Sequence, residues 1–185
     1  MPVDLADAIP RAAMRTPEQI LGPYFPMQIE PTASGDLTKL DGGSEPAQGE
    51  IVQIGGRIRN LEGEPVCSAK ILIWQANCFG RYSHPNDLTQ APLDPNFHGF
   101  AEIASDSSGA YRFRTIKPGA YPAIAGWMRA PHVHFEVIGQ FERLITQMYF
   151  PDDPFNASDR FLMSARPTRL VDCSACPLRT QFELS

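Results

Sequence analysis

The sequence predicts an all-β protein: a β-sandwich of mixed or antiparallel sheets, with long functional loops and an N-terminal arm. Three observations lead there. Short alternating or continuous apolar runs of strand length recur between residues 50 and 150. Eighteen prolines and fourteen glycines among 185 residues punctuate these runs with turns. Helical periodicity is scarce, and that combination favours packed sheets over a bundle.

Residues 1–48 read as the arm, rich in Pro, Gly, Asp and Ser and without a long periodic pattern. A short helix around Leu5–Arg15 is the one regular element the arm allows. Gly22-Pro23-Tyr24-Phe25-Pro26 is rigid and aromatic, which suits packing against a surface. Residues 49–185 then form the sandwich domain. Val52, Ile54, Gly56 and Ile58 alternate with Gln53, Gly55, Arg57 and Arg59, the period of a half-buried strand. Lys70-Ile71-Leu72-Ile73-Trp74 is continuously apolar after its lysine, as expected for a strand covered on both faces. Tyr111, Phe113 and Thr115 alternate with Arg112 and Arg114 after a Ser107-Ser108-Gly109 turn. Val133, Phe135 and Val137 alternate with His132, His134 and Glu136, and Arg143–Phe150 follows. The irregular stretch from Cys78 to Gly99 is too long for a mere connection. No internal repeat is present.

Bulk properties bound the function. Apolar residues make up 43% and charged residues 20%, so one soluble globular domain is expected. A formal charge of −5 argues against nucleic acid or an anionic membrane as partner. No apolar stretch reaches the roughly 20 residues that span a bilayer. Met1 to Arg15 carries Asp4 and Asp7 and lacks a basic start before an apolar core, so a cytoplasmic location is expected. Cys67 and Cys78 fit no zinc half-site, and Cys173-Ser-Ala-Cys176 is a lone C-x-x-C; all four read as reduced thiols.

Chemistry concentrates at Arg129-Ala130-Pro131-His132-Val133-His134-Phe135. On a strand, His132 and His134 share one face, which suits either a transition-metal pair or one buried and one surface histidine. Tyr82, just beyond the buried strand, and Tyr121, after Lys117-Pro118-Gly119-Ala120, both stand at strand ends. Taken singly, each suits a packing residue with a hydrogen-bonded hydroxyl. The cupin pattern of His-x-His does not apply: Glu136 comes too early and the later histidine is missing.

With their flanks, these residues resemble the intradiol ring-cleavage dioxygenases of the protocatechuate 3,4-dioxygenase type. The resemblance runs through Ile71–Asn77 to Gly80-Arg81-Tyr82, Leu93–Phe97, Tyr111–Gly119 with Tyr121-Pro122, Arg129–Phe135 and Leu144–Phe150. It implies a mononuclear non-haem Fe(III) held by Tyr82, Tyr121, His132 and His134, together with a solvent-derived hydroxide. Phenolate is a hard anion suited to a hard trivalent ion, and a bound cation ionises a tyrosine whose free pKa is about 10. By the same resemblance Tyr121 and His132 are axial, Tyr82 and His134 equatorial, and Tyr121 leaves the iron and takes up a proton when a catechol binds. Arg129 is the cation that stabilises the electron-rich ring; a preorganised charge of this kind contributes roughly 3 kcal/mol. Gln147 lies near the substrate and Tyr24 at the mouth of the site. The implied activity is cleavage of a catechol-type ring by O2 to a cis,cis-muconate.

The chain departs from the family pattern in places. Ala123 stands where protocatechuate enzymes carry tryptophan, no counterpart of the helical N-terminal domain of the catechol and hydroxyquinol enzymes is expected in residues 1–48, and Cys173–Ser185 is expected to leave little room for the family's last pair of strands. The cation that would bind a substrate carboxylate is not evident; Arg81 and Arg143 are candidates by charge, and a partner chain is another source. A homo-oligomer or a heteromer with a related subunit is expected. Two alternatives remain at this level. Glu64–Ala69, Ser107–Phe113 and Lys117–Tyr121 also resemble non-catalytic transthyretin-like sandwiches. His132, His134 and Glu136 could by themselves form an Fe(II) or zinc site.

Overall fold

The computed structural model describes residues 16–27, 35–40, 42–43, 45–123, 126–151, 153–164 and 178–183. Leu5–Arg15 and the Cys173/Cys176 pair lie outside the described residues. Nine strands are described: β1 (Ile51–Arg59), β2 (Lys70–Gln75), β3 (Phe100–Ala104), β4 (Ala110–Ile116), β5 (Tyr121–Pro122), β6 (Met128–Arg129), β7 (His132–Ile138), β8 (Arg143–Tyr149) and β9 (Leu178–Glu183). A 3-10 turn over 154–157 and a one-turn helix, α1 (Arg160–Ser164), stand between β8 and β9. Among the described residues no helix is long and apolar enough to cross a membrane.

The strands form two facing sheets and a ribbon. One sheet has the order β4-β1-β9, with β4 antiparallel and β9 parallel to β1. The other has the antiparallel order β3-β2-β7-β8. The short β5-β6 ribbon pairs Tyr121 with Arg129. The mixed sandwich expected from strand-length patterning is therefore the observed architecture.

Side-chain alternation decides what each face holds. Ile54, Ile58, Tyr111 and Phe113 from the first sheet meet Ile71, Ile73, Val133, Phe135, Val137, Leu144 and Met148 from the second. Phe135 sits at the middle, with its ring centroid 5.9 Å from that of Phe113 and 6.2 Å from that of Tyr111. The opposite face of the second sheet carries Trp74, His132, His134, Gln147 and Tyr149, and all five are buried.

That outer face is buried because the arm covers it. The Gln19 N–H donates to Ile145 O at 2.8 Å and Thr146 Oγ1 to Pro17 O at 2.9 Å, so residues 17–19 run along the exposed edge of β8. Phe25 then packs edge-on against Trp74 at 5.0 Å. This explains why β2 is buried on both faces, as its continuous apolar run predicts.

Four strands were not anticipated, two of them the two-residue β5 and β6. β3 has the weak pattern Phe-Ala-Glu-Ile-Ala and is set by pairing with β2. At the C-terminus, expected to have little room for strands, β9 runs beside β1 in register from Ile54↔Leu178 to Arg59↔Glu183. One strand fits there because a parallel edge partner needs only six residues opposite β1.

Candidate metal centre

The pleat of β7 puts His132 and His134 on the outer face, 1% and 2% exposed. Their Nε2 atoms lie 3.1 Å apart. His132 Nδ1 is 2.6 Å from the Ala130 carbonyl oxygen, which can only accept, so Nδ1 carries the proton and Nε2 keeps its lone pair. His134 stacks on Trp74 at 4.7 Å and 10°, with a buried Nδ1 that has no partner. Burial and the Arg129 charge push both imidazoles well below the usual histidine pKa, with His134 adding to the effect on His132. Both are neutral, the form that ligates metals.

The two tyrosines reach this pair from separate loops. Asn77 shapes the first: its Oδ1 accepts from the N–H groups of Phe79 (2.9 Å) and Arg81 (3.0 Å), and its Nδ2 donates to Pro92 O at 2.9 Å. Asp87 Oδ2 then accepts the Tyr82 N–H at 2.7 Å. The second loop is held by the Gly119 N–H donating to Asn77 O at 2.9 Å. Gly80 and Gly119 let the loops touch, since a Cβ on either would overlap backbone of the other loop. As a result Tyr82 and Tyr121 meet edge to face at 5.4 Å.

Tyr121 Oη lies 3.3 Å from His132 Nε2. The Tyr82 hydroxyl is buried and faces the Tyr121 phenol, without a hydrogen bond of normal length. Burial outweighs the Arg129 charge and raises the pKa of both phenols, that of Tyr82 furthest, so both are protonated when no metal ion is bound. An orphaned buried hydroxyl costs about 1–3 kcal/mol. It becomes favourable once ionised against a metal.

These residues fit a mononuclear metal ion. Two ligands about 2.1 Å from one ion and at right angles lie roughly 3 Å apart, the separation of the two Nε2 atoms. Among the described residues no group of three His, Cys, Asp or Glu converges. Glu136 instead accepts from Arg143 Nε, so the His132/His134/Glu136 alternative is not formed. The further oxygen donors beside the histidines are phenols.

Arg129, 3% exposed, borders the same space from β6. Its Nε donates to Asp159 Oδ2 at 2.9 Å, and Nη2 donates to Gln147 Oε1 at 2.5 Å and Tyr149 Oη at 3.1 Å. Nη1 makes a long 3.5 Å contact with Tyr121 Oη. Desolvation opposes the charge, but Tyr121, Tyr149 and Asp159 hold the guanidinium pKa above its ordinary value. Gln147 Nε2 donates to Ile20 O at 3.0 Å, tying the network to the arm. The one Tyr149 proton is shared between Gln147 Oε1 (2.8 Å) and Gln19 Oε1 (3.0 Å).

Asp159 and Tyr149 were not singled out from sequence. Tyr149 carried a signal, because it alternates with Gln147 and pairs with His132. Asp159 carried only that of a helix cap.

A cavity of about 590 Å³ opens beside Tyr82, walled by Tyr24, Trp74, His84, His98 and Phe100 among others. Tyr24 lies 4.6 Å from the Tyr82 ring and 6.2 Å from that of Tyr121, so the arm aromatic stands at the phenols. His84 and His98, from the long irregular stretch, form part of the wall. The two candidate cations are engaged elsewhere: Arg81 Nη1 donates to Ala91 O at 2.7 Å, and Arg143 pairs with Glu136.

Residues 20–177 match the family model described as dioxygenase. The chain is 45% identical over 132 residues to the protocatechuate 3,4-dioxygenase beta chain of Burkholderia cepacia, covering 67% of this chain and 54% of that one. It belongs to the intradiol ring-cleavage dioxygenase family. Within the family it is also 31% identical over 188 residues to the catechol 1,2-dioxygenase of Acinetobacter baylyi, covering 93% and 58% of the two chains. The dioxygenase domain of a dioxygenase–carbohydrate-binding fusion from Streptomyces sp. SirexAA-E superposes with a TM-score of 0.71 at 26% identity, over 92% of this chain and 98% of that domain. The chain spans about half the length of the curated relatives it matches. The family match includes Tyr82 and Arg129–His134, the segments a transthyretin-like sandwich leaves unexplained.

Proposed function

We propose that this chain is an Fe(III)-dependent intradiol dioxygenase that opens a catechol-type ring with O2 between its two hydroxylated carbons, giving a cis,cis-muconate. The observation that carries the reading is the convergence of two neutral imidazoles and two buried phenols, with no group of three His, Cys, Asp or Glu side chains among the described residues. Tyr82, Tyr121, His132 and His134 would hold the iron. Fe(III) bound there would supply a hard Lewis acid that activates the catechol by drawing charge from its ring.

The chain's own groups supply the rest. Tyr121 has its oxygen between His132 and Arg129, where as a phenolate it would accept a substrate proton. Arg129 is a fixed cation in a water-excluded site, suited to negative charge developing on the ring. Gln147 orients Arg129 and borders the substrate, while Tyr24 and Trp74 wall the adjoining cavity. The substrate is a catechol, protocatechuate-like or otherwise substituted, and Ala123 in place of a tryptophan favours a differently shaped substrate pocket. The working form is a homo-oligomer or a heteromer with a related chain.

The purified protein should be red from tyrosinate-to-Fe(III) charge transfer and should consume O2 with substituted catechols. A colourless protein with stoichiometric zinc would overturn the reading. A panel of neutral and carboxylated catechols, followed by oxygen uptake and muconate absorbance, fixes the substrate.

A further inference from the structure

Asp159 is fully buried, and its two oxygens hold different partners. Oδ1 accepts from the N–H groups of Phe161 (2.9 Å) and Leu162 (3.2 Å), capping α1. Oδ2 accepts from Arg129 Nε and from the Ala130 N–H, each at 2.9 Å. Ala130 in turn presents its carbonyl to His132 Nδ1 at 2.6 Å. One carboxylate therefore touches the guanidinium directly and reaches the imidazole through a single residue.

We infer that Asp159 is a positioning residue that sets Arg129 and His132 together. The inference rests on the roles proposed above for those two residues. A helix cap needs only one oxygen, and serine or asparagine serves as well. The second oxygen anchors the guanidinium at Nε, which turns Nη1 toward Tyr121 and Nη2 toward Gln147 and Tyr149. It also fixes the Ala130 backbone, whose carbonyl determines which His132 nitrogen carries the proton. Phe161, on the helix that Asp159 caps, lies under the guanidinium at 4.7 Å. Cap, ion pair and aromatic platform thus form one unit. Without the carboxylate, Arg129 is a buried cation held only by neutral oxygens.

Asp159→Ser keeps a capping oxygen and removes the anchor; Asp159→Asn is the second variant should serine fail to fold. In Arg129→Ala, added guanidinium chloride should restore activity per bound iron by about tenfold or more, because Asp159 still offers the anchor. In Arg129→Ala/Asp159→Ser the same addition should restore less than about twofold. Equal recovery in both overturns the Arg129 half of the inference. Fe(III) affinity, read by competition with a chelator, should fall by about tenfold or more in Asp159→Ser while Arg129→Ala stays within about threefold of the parent. Unchanged affinity in Asp159→Ser overturns the His132 half. If the unsubstituted iron-loaded protein opens no catechol, the proposed function fails, and the iron-affinity comparison still decides the role of Asp159.

Discussion

Gly119 and Gly80 pack backbone to backbone, so closely that a Cβ on Gly119 would lie 2.6 Å from the Gly80 nitrogen. The same atom would lie 2.5 Å from the Cys78 carbonyl oxygen. This contact brings the Tyr82 and Tyr121 loops to one point. Gly119→Ala must push them apart, because rigid backbone surrounds the new methyl. The variant should lose about 1–3 kcal/mol in urea unfolding of the metal-free protein. It should also bind less than stoichiometric iron; full iron occupancy would show that the loops need not touch.

The two phenols should respond differently to loss of the hydroxyl. Tyr121→Phe should keep its iron, alter the visible band and lose about 100-fold or more in turnover, in line with a displaced proton acceptor. Complete loss of iron in that variant would exclude a displaceable role. Tyr82→Phe should bind iron more weakly, yet the metal-free protein should gain about 1 kcal/mol, because a buried hydroxyl with no hydrogen bond of normal length is removed. Calorimetry of the metal-free forms measures the second effect.

The buried site makes metal-free stability depend on pH from both sides. His132 and His134 stay neutral when folded, whereas the unfolded chain takes up protons as pH falls past about 6.5. The unfolded state binds more protons there, so stability drops as pH falls. Tyr82 and Tyr121 remain protonated when folded, whereas unfolded phenols ionise near pH 10, so stability also drops as pH rises past about 10. Urea unfolding across the range should show a plateau between these limits. With iron bound, the phenols are already ionised and the alkaline loss should disappear.

Gly22 anchors the arm against the metal face. It has φ +77°, and a Cβ there would lie 3.3 Å from His134 Cε1. Gly22→Ala combines backbone strain of about 1 kcal/mol or more with that contact. It should loosen the arm over His134, seen as faster amide exchange at Gln19, whose N–H is bonded to Ile145 O. Unchanged exchange would mean that the arm is held from Pro17 and Gln19 alone.

Much of the fold was legible because period-2 patterning is local. Val133, Phe135 and Val137 declare an inward face, which by itself assigns His132 and His134 to the other. β3 and β9 were not legible, since their residues have weak periodicity and gain strand geometry only by pairing with β2 and β1, and β5 and β6, two residues each, are too short to show a period. Within the site, the histidines and tyrosines stood out by type and flanking motif. Asp159 did not, because its sequence signature is that of any helix cap and its second oxygen acts across thirty positions of chain.

The sequence by itself determined the sandwich class and the shared face of the two histidines, and it carried the family motifs around Tyr82, Tyr121 and His132. Strand class and face follow from neighbours along the chain. Tertiary structure alone decided that Glu136 turns to Arg143, that two glycines bring the phenols together, and that the arm covers the face. It also decided that one buried carboxylate joins Arg129 to His132. Each of these depends on groups far apart in sequence meeting at van der Waals or hydrogen-bond distance, and only the packed sheets bring them that close.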